Sequence, residues 1–196
     1  MISSCRHVLA IDPGQRKSGW VLWDVDVGSV LAAEHTDNVQ CREIVFPWFM
    51  QRYDTHALLP IIETMRSYGK DVGISVFETC FWIGRFWDMF SCAGFHTLTL
   101  MRQDHVGQVL LGRNRRFNNG DIRKKLIEMY GAPGTKKTPG ATALLAGNGG
   151  HTWQAAALAA TYLELLKSGQ AYWPGDTNDK TKKGAPTKMI APMIFD

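Results

Sequence analysis

A chain of 196 residues that is 45% hydrophobic and 20% charged suits one ordinary soluble domain with a sizeable core. Cys5, Cys41, Cys80 and Cys92 are widely spaced, which excludes a C-x-x-C zinc pair and a disulfide-stapled secreted fold, so reduced and mostly buried thiols are expected. No apolar run approaches the roughly 20 residues that cross a bilayer, and the N-terminus lacks a basic-then-apolar leader pattern, so the expectation is a soluble cytoplasmic protein with no membrane partner.

In chain order, three β-like segments come first: His7 to Asp12, Gly19 to Val25 and Ser29 to His35, with turn chemistry at Pro13-Gly14 and Gly28-Ser29. Such short connections favour antiparallel neighbours. Arg42 to Tyr68 has apolar residues at mixed helical spacing, broken at Pro47 and Pro60, and predicts one helix from about Thr55 to near Gly69. Val72 to Phe77 reads as a fourth strand ending at Glu78, and Phe95 to Met101 as a fifth. The intervening CFWIGRFWDMFSCAG is long enough for a crossover helix. Gln103 to Leu111 and Asp121 to Tyr130 read as short helices around the loop GRNRRFNNG, and Ala132 to Gly150 as loop. His151 to Lys167, HTWQAAALAATYLELLK, is an amphipathic helix that should pack on the sheet. A single domain therefore spans 1–167, and the Gly-, Pro- and Lys-rich 168–196 reads as a loosely ordered tail.

Asp12 stands where an apolar strand runs out, and Glu78 stands at the matching end of the fourth. If those strands are parallel neighbours, the two acids converge, and carboxylates brought together need a proton or a cation; oxygen ligands suit Mg²⁺ or Mn²⁺. From spacing alone, either acid also fits a cap, or a partner for Arg16 or Arg85.

The ordered set AIDPGxxxxGW, VFE before an aromatic segment, a basic region, the GTKKTPG loop and a final helix beginning HTWQAAALA resembles the RuvC-type Holliday-junction resolvases of the ribonuclease H-like superfamily. It looks closest to small phage-encoded members, and the match spans roughly residues 7 to 166. The resemblance implies an α/β fold: a mixed five-stranded sheet, three antiparallel strands then two parallel, flanked by helices. It implies a metal-dependent endonuclease that resolves four-way junctions and other branched DNA, in a bacterial or phage-infected cell. By that resemblance Asp12, Glu78 and His151 are metal ligands, expected to hold two Mg²⁺ or Mn²⁺ ions about 3.5–4 Å apart that stabilise the attacking and leaving oxygens of an in-line displacement. Gln154 occupies the second position of the H-x-x-D pair. That is a departure, because a neutral amide is the poorer Mg²⁺ ligand and removes a charge. His151 and Gln154, three apart, share one helix face; the plain alternative for His151 is a helix N-terminal residue with a satisfied backbone contact.

The net charge is only +4, but it is gathered: Met101 to Lys125 holds seven basic residues against two acidic ones. Arg113, Arg115, Arg116, Arg123 and Lys124, with Lys136 and Lys137 in the later loop, form the expected DNA-binding set. Phe81 is the aromatic expected to stack on unpaired bases, a contact worth about 1–3 kcal/mol per base. A two-fold symmetric junction suits an isologous homodimer, expected through the helix after Glu78. Two other readings stand beside the enzyme: a junction-binding protein without turnover because of Gln154, and a nuclease acting on RNA or an RNA–DNA hybrid.

Overall fold

The computed structural model describes residues 6–65, 72–95, 99–112, 117–135, 140, 142–146 and 149–171. Its centre is a five-stranded sheet in the order β3-β2-β1-β4-β5, formed by β1 (His7–Asp12), β2 (Lys17–Asp24), β3 (Ser29–Asp37), β4 (Leu58–Thr64) and β5 (Thr99–Arg102). The first three strands pair antiparallel, and β4 joins β1, and β5 joins β4, in parallel. All six residues of β1 are buried, as a strand covered by helices on both faces requires, which is why its sequence is nearly continuous in apolar residues.

Alternation along the strands separates two cores. Val8, Ala10, Val21, Trp23, Leu59 and Ile61 face one layer, and Leu9, Ile11, Trp20, Leu22, Leu58 and Ile62 the other. The first layer holds α4 (Gln103–Leu111), α5 (Asn119–Tyr130) and α6 (Gly150–Lys167). Within α6 every residue from Thr152 to Leu163 is buried, because the helix lies on β1 and β2 and beneath α4 and α5. Its alanines let the helix sit close to the sheet while keeping high helix propensity. The N-terminus of α5 is fixed by a capping box between Asn118 and Asp121. The second layer holds α1 (Asn38–Gln40), a π-helical segment (Cys41–Val45), α2 (Phe46–Arg52) and α3 (Ile74–Cys92).

The alternation of element types matches the sequence reading, but its middle is displaced. The helix expected from about Thr55 lies earlier, continuous over residues 38–52, and Leu58–Thr64 is the fourth strand. Pro60 lies within it, opposite Leu9 of β1 and one residue before the described ladder to β5 begins at Ile61↔Thr99. The expected strand Val72 to Phe77 is instead the beginning of α3, which buries Thr79, Ile83, Phe86 and Phe90 on one side. That stripe has the i, i+4, i+7 spacing of a helix face. The fifth strand begins at Thr99 rather than Phe95, and the Ala132 to Gly150 loop carries a 3-10 turn at Ala143–Leu145. Arg113, Arg115, Arg116, Lys136, Lys137 and residues 172–196 of the expected tail lie outside the described residues. Among the described residues no helix is long and apolar enough to cross a membrane.

Candidate metal-binding site at the strand ends

Asp12 is the last residue of β1 and is buried. The parallel register with β4 runs to Ile11↔Ile62, so the next residues, Asp12 and Glu63, come side by side. Both follow the alternation of Val8, Ala10 and of Leu59, Ile61, and so rise on the face covered by α6. Their side chains share a hydrogen bond, which two carboxyl groups can make only when one carries a proton. Burial, then the Asp12 charge, then that hydrogen bond hold the Glu63 carboxyl well above the usual carboxylate range.

The N-terminus of α6 comes down on this pair. His151 Nδ1 lies 2.7 Å from Asp12 Oδ2, and this hydrogen bond raises the imidazole pKa against the opposing effect of burial. The approach is possible because residue 19 of β2 is glycine: a Cβ there would stand 2.3 Å from the His151 carbonyl carbon. A second imidazole, His35 of β3, stacks on His151 with centroids 5.1 Å apart and planes at 21°. Burial lowers the His35 pKa, and the neighbouring His151 charge adds to it. One turn along α6, Gln154 is buried, and its Nε2 donates to Asn119 Oδ1 at 2.6 Å.

The expected site residues thus divide. Asp12 and His151 meet, and Gln154 stands one turn further on. Glu78 does not end a strand beside β1: it is exposed on α3 and lines a separate hollow with Gln15, Phe77, Phe81 and Trp82. The acid in register with Asp12 is Glu63. It carried the same signal as Asp12, an apolar run (LLPII) ending in a carboxylate, but the run was absorbed into an expected helix. Phe81 is 60% exposed, and the Arg85 guanidinium lies 5.1 Å over its ring and 4.8 Å over that of Trp82. Arg123 and Lys124 are exposed on α5, with Arg123 lying 5.1 Å over the Trp153 ring.

Among the described residues no group of three or more His, Cys, Asp or Glu side chains is arranged as a metal cage. The donor atoms instead satisfy one another. The chemistry of the pair nonetheless fits a hard divalent cation: two carboxyl groups stand side by side at one sheet edge, and a cation between them would offset their repulsion.

No protein-family model and no curated protein sequence matches the chain. Solved structures do. RuvC of Thermus thermophilus superposes with a TM-score of 0.60 at 16% identity, over 84% of this chain and 98% of that one. The T. thermophilus RuvC in complex with a Holliday-junction substrate gives 0.59 at 15%, with the same coverage. The yeast mitochondrial Holliday junction resolvase Ydc2 gives 0.51 at 10% identity, over 84% of this chain and 83% of that one. The α/β architecture, with its mixed five-stranded sheet, is therefore the ribonuclease H-like fold of RuvC.

Proposed function

We propose that residues 1–167 form a metal-dependent endonuclease that cuts branched DNA, four-way junctions above all. The observation that carries this reading is the pair Asp12 and Glu63, side by side at the ends of parallel β1 and β4 with His151 closing on Asp12, in a fold shared with junction resolvases.

Asp12 and Glu63 would hold the cation or cations, Mg²⁺ or Mn²⁺, through carboxylate oxygens, with His151 as the nitrogen donor of the set. Divalent cations bound there supply positive charge to the phosphate and lower the pKa of water. Gln154 has its amide nitrogen engaged by Asn119, which leaves Oε1 as the atom it can turn toward a cation. His151 is held at its Nδ1 by Asp12, so Nε2 is the atom that would serve the cation or, in place of that, orient the water. In the reaction, water adds to phosphorus, the P–O3′ bond breaks, and a 5′-phosphate and a 3′-hydroxyl result.

Substrate would lie across exposed Arg123 and Lys124, with Arg113, Arg115, Arg116, Lys136 and Lys137 as further phosphate contacts, and with exposed Phe81 positioned to stack on a base. The two-fold symmetry of a junction favours a homodimer. The exposed face of α3, with Ile74 and Phe77 toward its start, is the surface it would use. A cytoplasmic location fits such a substrate. One observation favours the second reading, a junction-binding protein without turnover: Gln154 is buried and already paired.

The test is cleavage of a labelled four-way junction with Mg²⁺ and with Mn²⁺, beside linear duplex, fork and RNA–DNA hybrid, for wild type and Asp12→Asn. Paired symmetric nicks lost in Asp12→Asn are expected. Tight junction binding with no nicks under either metal would replace the enzyme with the binding protein, and preferential cutting of the hybrid would redirect the substrate to RNA.

A further inference from the structure

The loop between β1 and β2 has features that metal binding does not require. Asn38, at the start of α1, is almost wholly buried. Three of its hydrogen bonds go to this loop and its margin. Its Nδ2 donates to the Gly14 carbonyl at 2.8 Å, its Oδ1 accepts from Ser18 Oγ at 2.6 Å, and its backbone N–H donates to the Arg16 carbonyl at 2.9 Å. Gly14 tightens the same turn, since a Cβ there would stand 2.5 Å from the Lys17 carbonyl oxygen. The backbone of residues 14–18 is thus held from both sides.

This rigid loop presents cations. Arg16 and Lys17 are exposed, and among the described residues neither side chain is engaged in a hydrogen bond or ion pair. Lys17 lies two residues before Gly19 on β2 and so shares the face on which His151 descends. Its cross-strand neighbour Asp37 has Oδ1 accepting from the Val39 N–H instead. Arg16 and Lys17 line the same open hollow, of about 550 Å³, as Asp12, His35 and His151. A phosphodiester approaching the carboxyl pair would otherwise meet repulsion. Two cations on a fixed loop at the rim offset it, and the locked backbone limits the side-chain ordering cost to the cations themselves.

We propose that Arg16 and Lys17, on the loop locked by Asn38, form a phosphodiester-binding subsite that takes a DNA backbone phosphate flanking the bond to be cut. This rests on the nuclease reading above and adds to it a set of contacts distinct from those on α5.

The test is anisotropy of a labelled four-way DNA junction with Ca²⁺ in place of Mg²⁺, across salt from about 50 to 200 mM, for wild type, Arg16→Ala/Lys17→Ala and Lys167→Ala as a control. Each phosphate contact contributes about 0.9 to the slope of log affinity against log salt, so the double variant should bind with a slope shallower by up to about 2, and Lys167→Ala with an unchanged one. With Mg²⁺, the nicking rate of the double variant should fall at limiting junction and recover at saturating junction, since neither residue touches the reacting atoms. An unchanged slope and affinity beside a wild type that binds and cuts would overturn this inference alone. A wild type that binds no DNA would overturn the nuclease reading and the subsite with it. A slope change on RNA duplex but not on the DNA junction would also overturn the DNA subsite.

Discussion

Gln154 Nε2 donates a 2.6 Å hydrogen bond to Asn119 Oδ1, so a buried amide on α6 is oriented by the first residue of α5. The pairing occupies the amide nitrogen and leaves Oε1 as the acceptor of Gln154. Asn119→Ala would leave Nε2 buried without an acceptor, at a cost of about 1–3 kcal/mol in unfolding free energy. Gln154→Glu should act in the opposite sense toward cations. It adds a third carboxylate near Asp12 and Glu63, lowers the melting temperature in EDTA, and recovers stability as Mg²⁺ is added. Thermal melts with and without Mg²⁺ check both; a Gln154→Glu melt insensitive to Mg²⁺ would remove Gln154 from the site.

Glu63 and Glu78 make opposite predictions. Glu63→Gln keeps a hydrogen-bonding partner for Asp12 without needing a shared proton, so stability should hold within about 1 kcal/mol. Nicking should nonetheless fall by on the order of 100-fold or more, since even residues behind a metal's ligands cost 10–100-fold. Glu78→Gln, on the exposed side of α3, should change stability by no more than about 0.5 kcal/mol and leave nicking near wild type. Rates for the two variants on one junction settle which acid serves; activity in Glu63→Gln and none in Glu78→Gln would restore the acid expected from sequence.

Gly19→Ala tests the descent of α6. The added Cβ would meet backbone atoms of His151, at 2.3 Å from its carbonyl carbon, and backbone cannot rotate aside. Overpacking of this kind costs about 1–3 kcal/mol, and the upper end is expected. Urea unfolding measures it, and the His151 ring resonances should shift in the same variant as the helix start moves off Asp12. A wild-type midpoint would mean α6 sits further from β2 than described.

Alkaline stability follows from two buried groups. Burial, with Asp37 and then Glu34 adding to it, pushes the Cys41 thiol up to about 12 from 9.0. Burial and then Glu164 push the Tyr130 hydroxyl up to about 12 from 10.0. Both are raised, so the folded state holds these protons more tightly than the unfolded chain. Their stabilising contribution is full below pH 9 and is lost as pH climbs through that interval. The melting temperature should therefore decline between pH 9 and 12. At pH 8, an alkylating reagent should modify exposed Cys80 and Cys92 in the native protein, and Cys41 only after denaturation. Mass spectrometry of the modified peptides reads the order, and native labelling of Cys41 would contradict its burial.

What the sequence by itself determined is local in character. β1, β2 and β3 follow from apolar runs separated by Pro13-Gly14 and Gly28-Ser29. α4 and α6 follow from helical periodicity over enough residues to exclude a strand, and the bounds of α4 agree residue for residue. Asp12 and His151 were legible because each stands at the end of such an element. The tertiary structure decided the middle of the chain. LLPIIET is too short and too uniformly apolar for periodicity to separate strand from helix. It becomes β4 because β1 and β5 offer it ladders on both sides, a gain from residues far away in sequence. ISVF, rich in strand-favouring side chains, becomes helix because Thr79, Ile83, Phe86 and Phe90 beyond it must cover the sheet. That Glu63, and not Glu78, lies beside Asp12 follows from that single displacement, since the strand beside β1 brings its terminal carboxyl to Asp12.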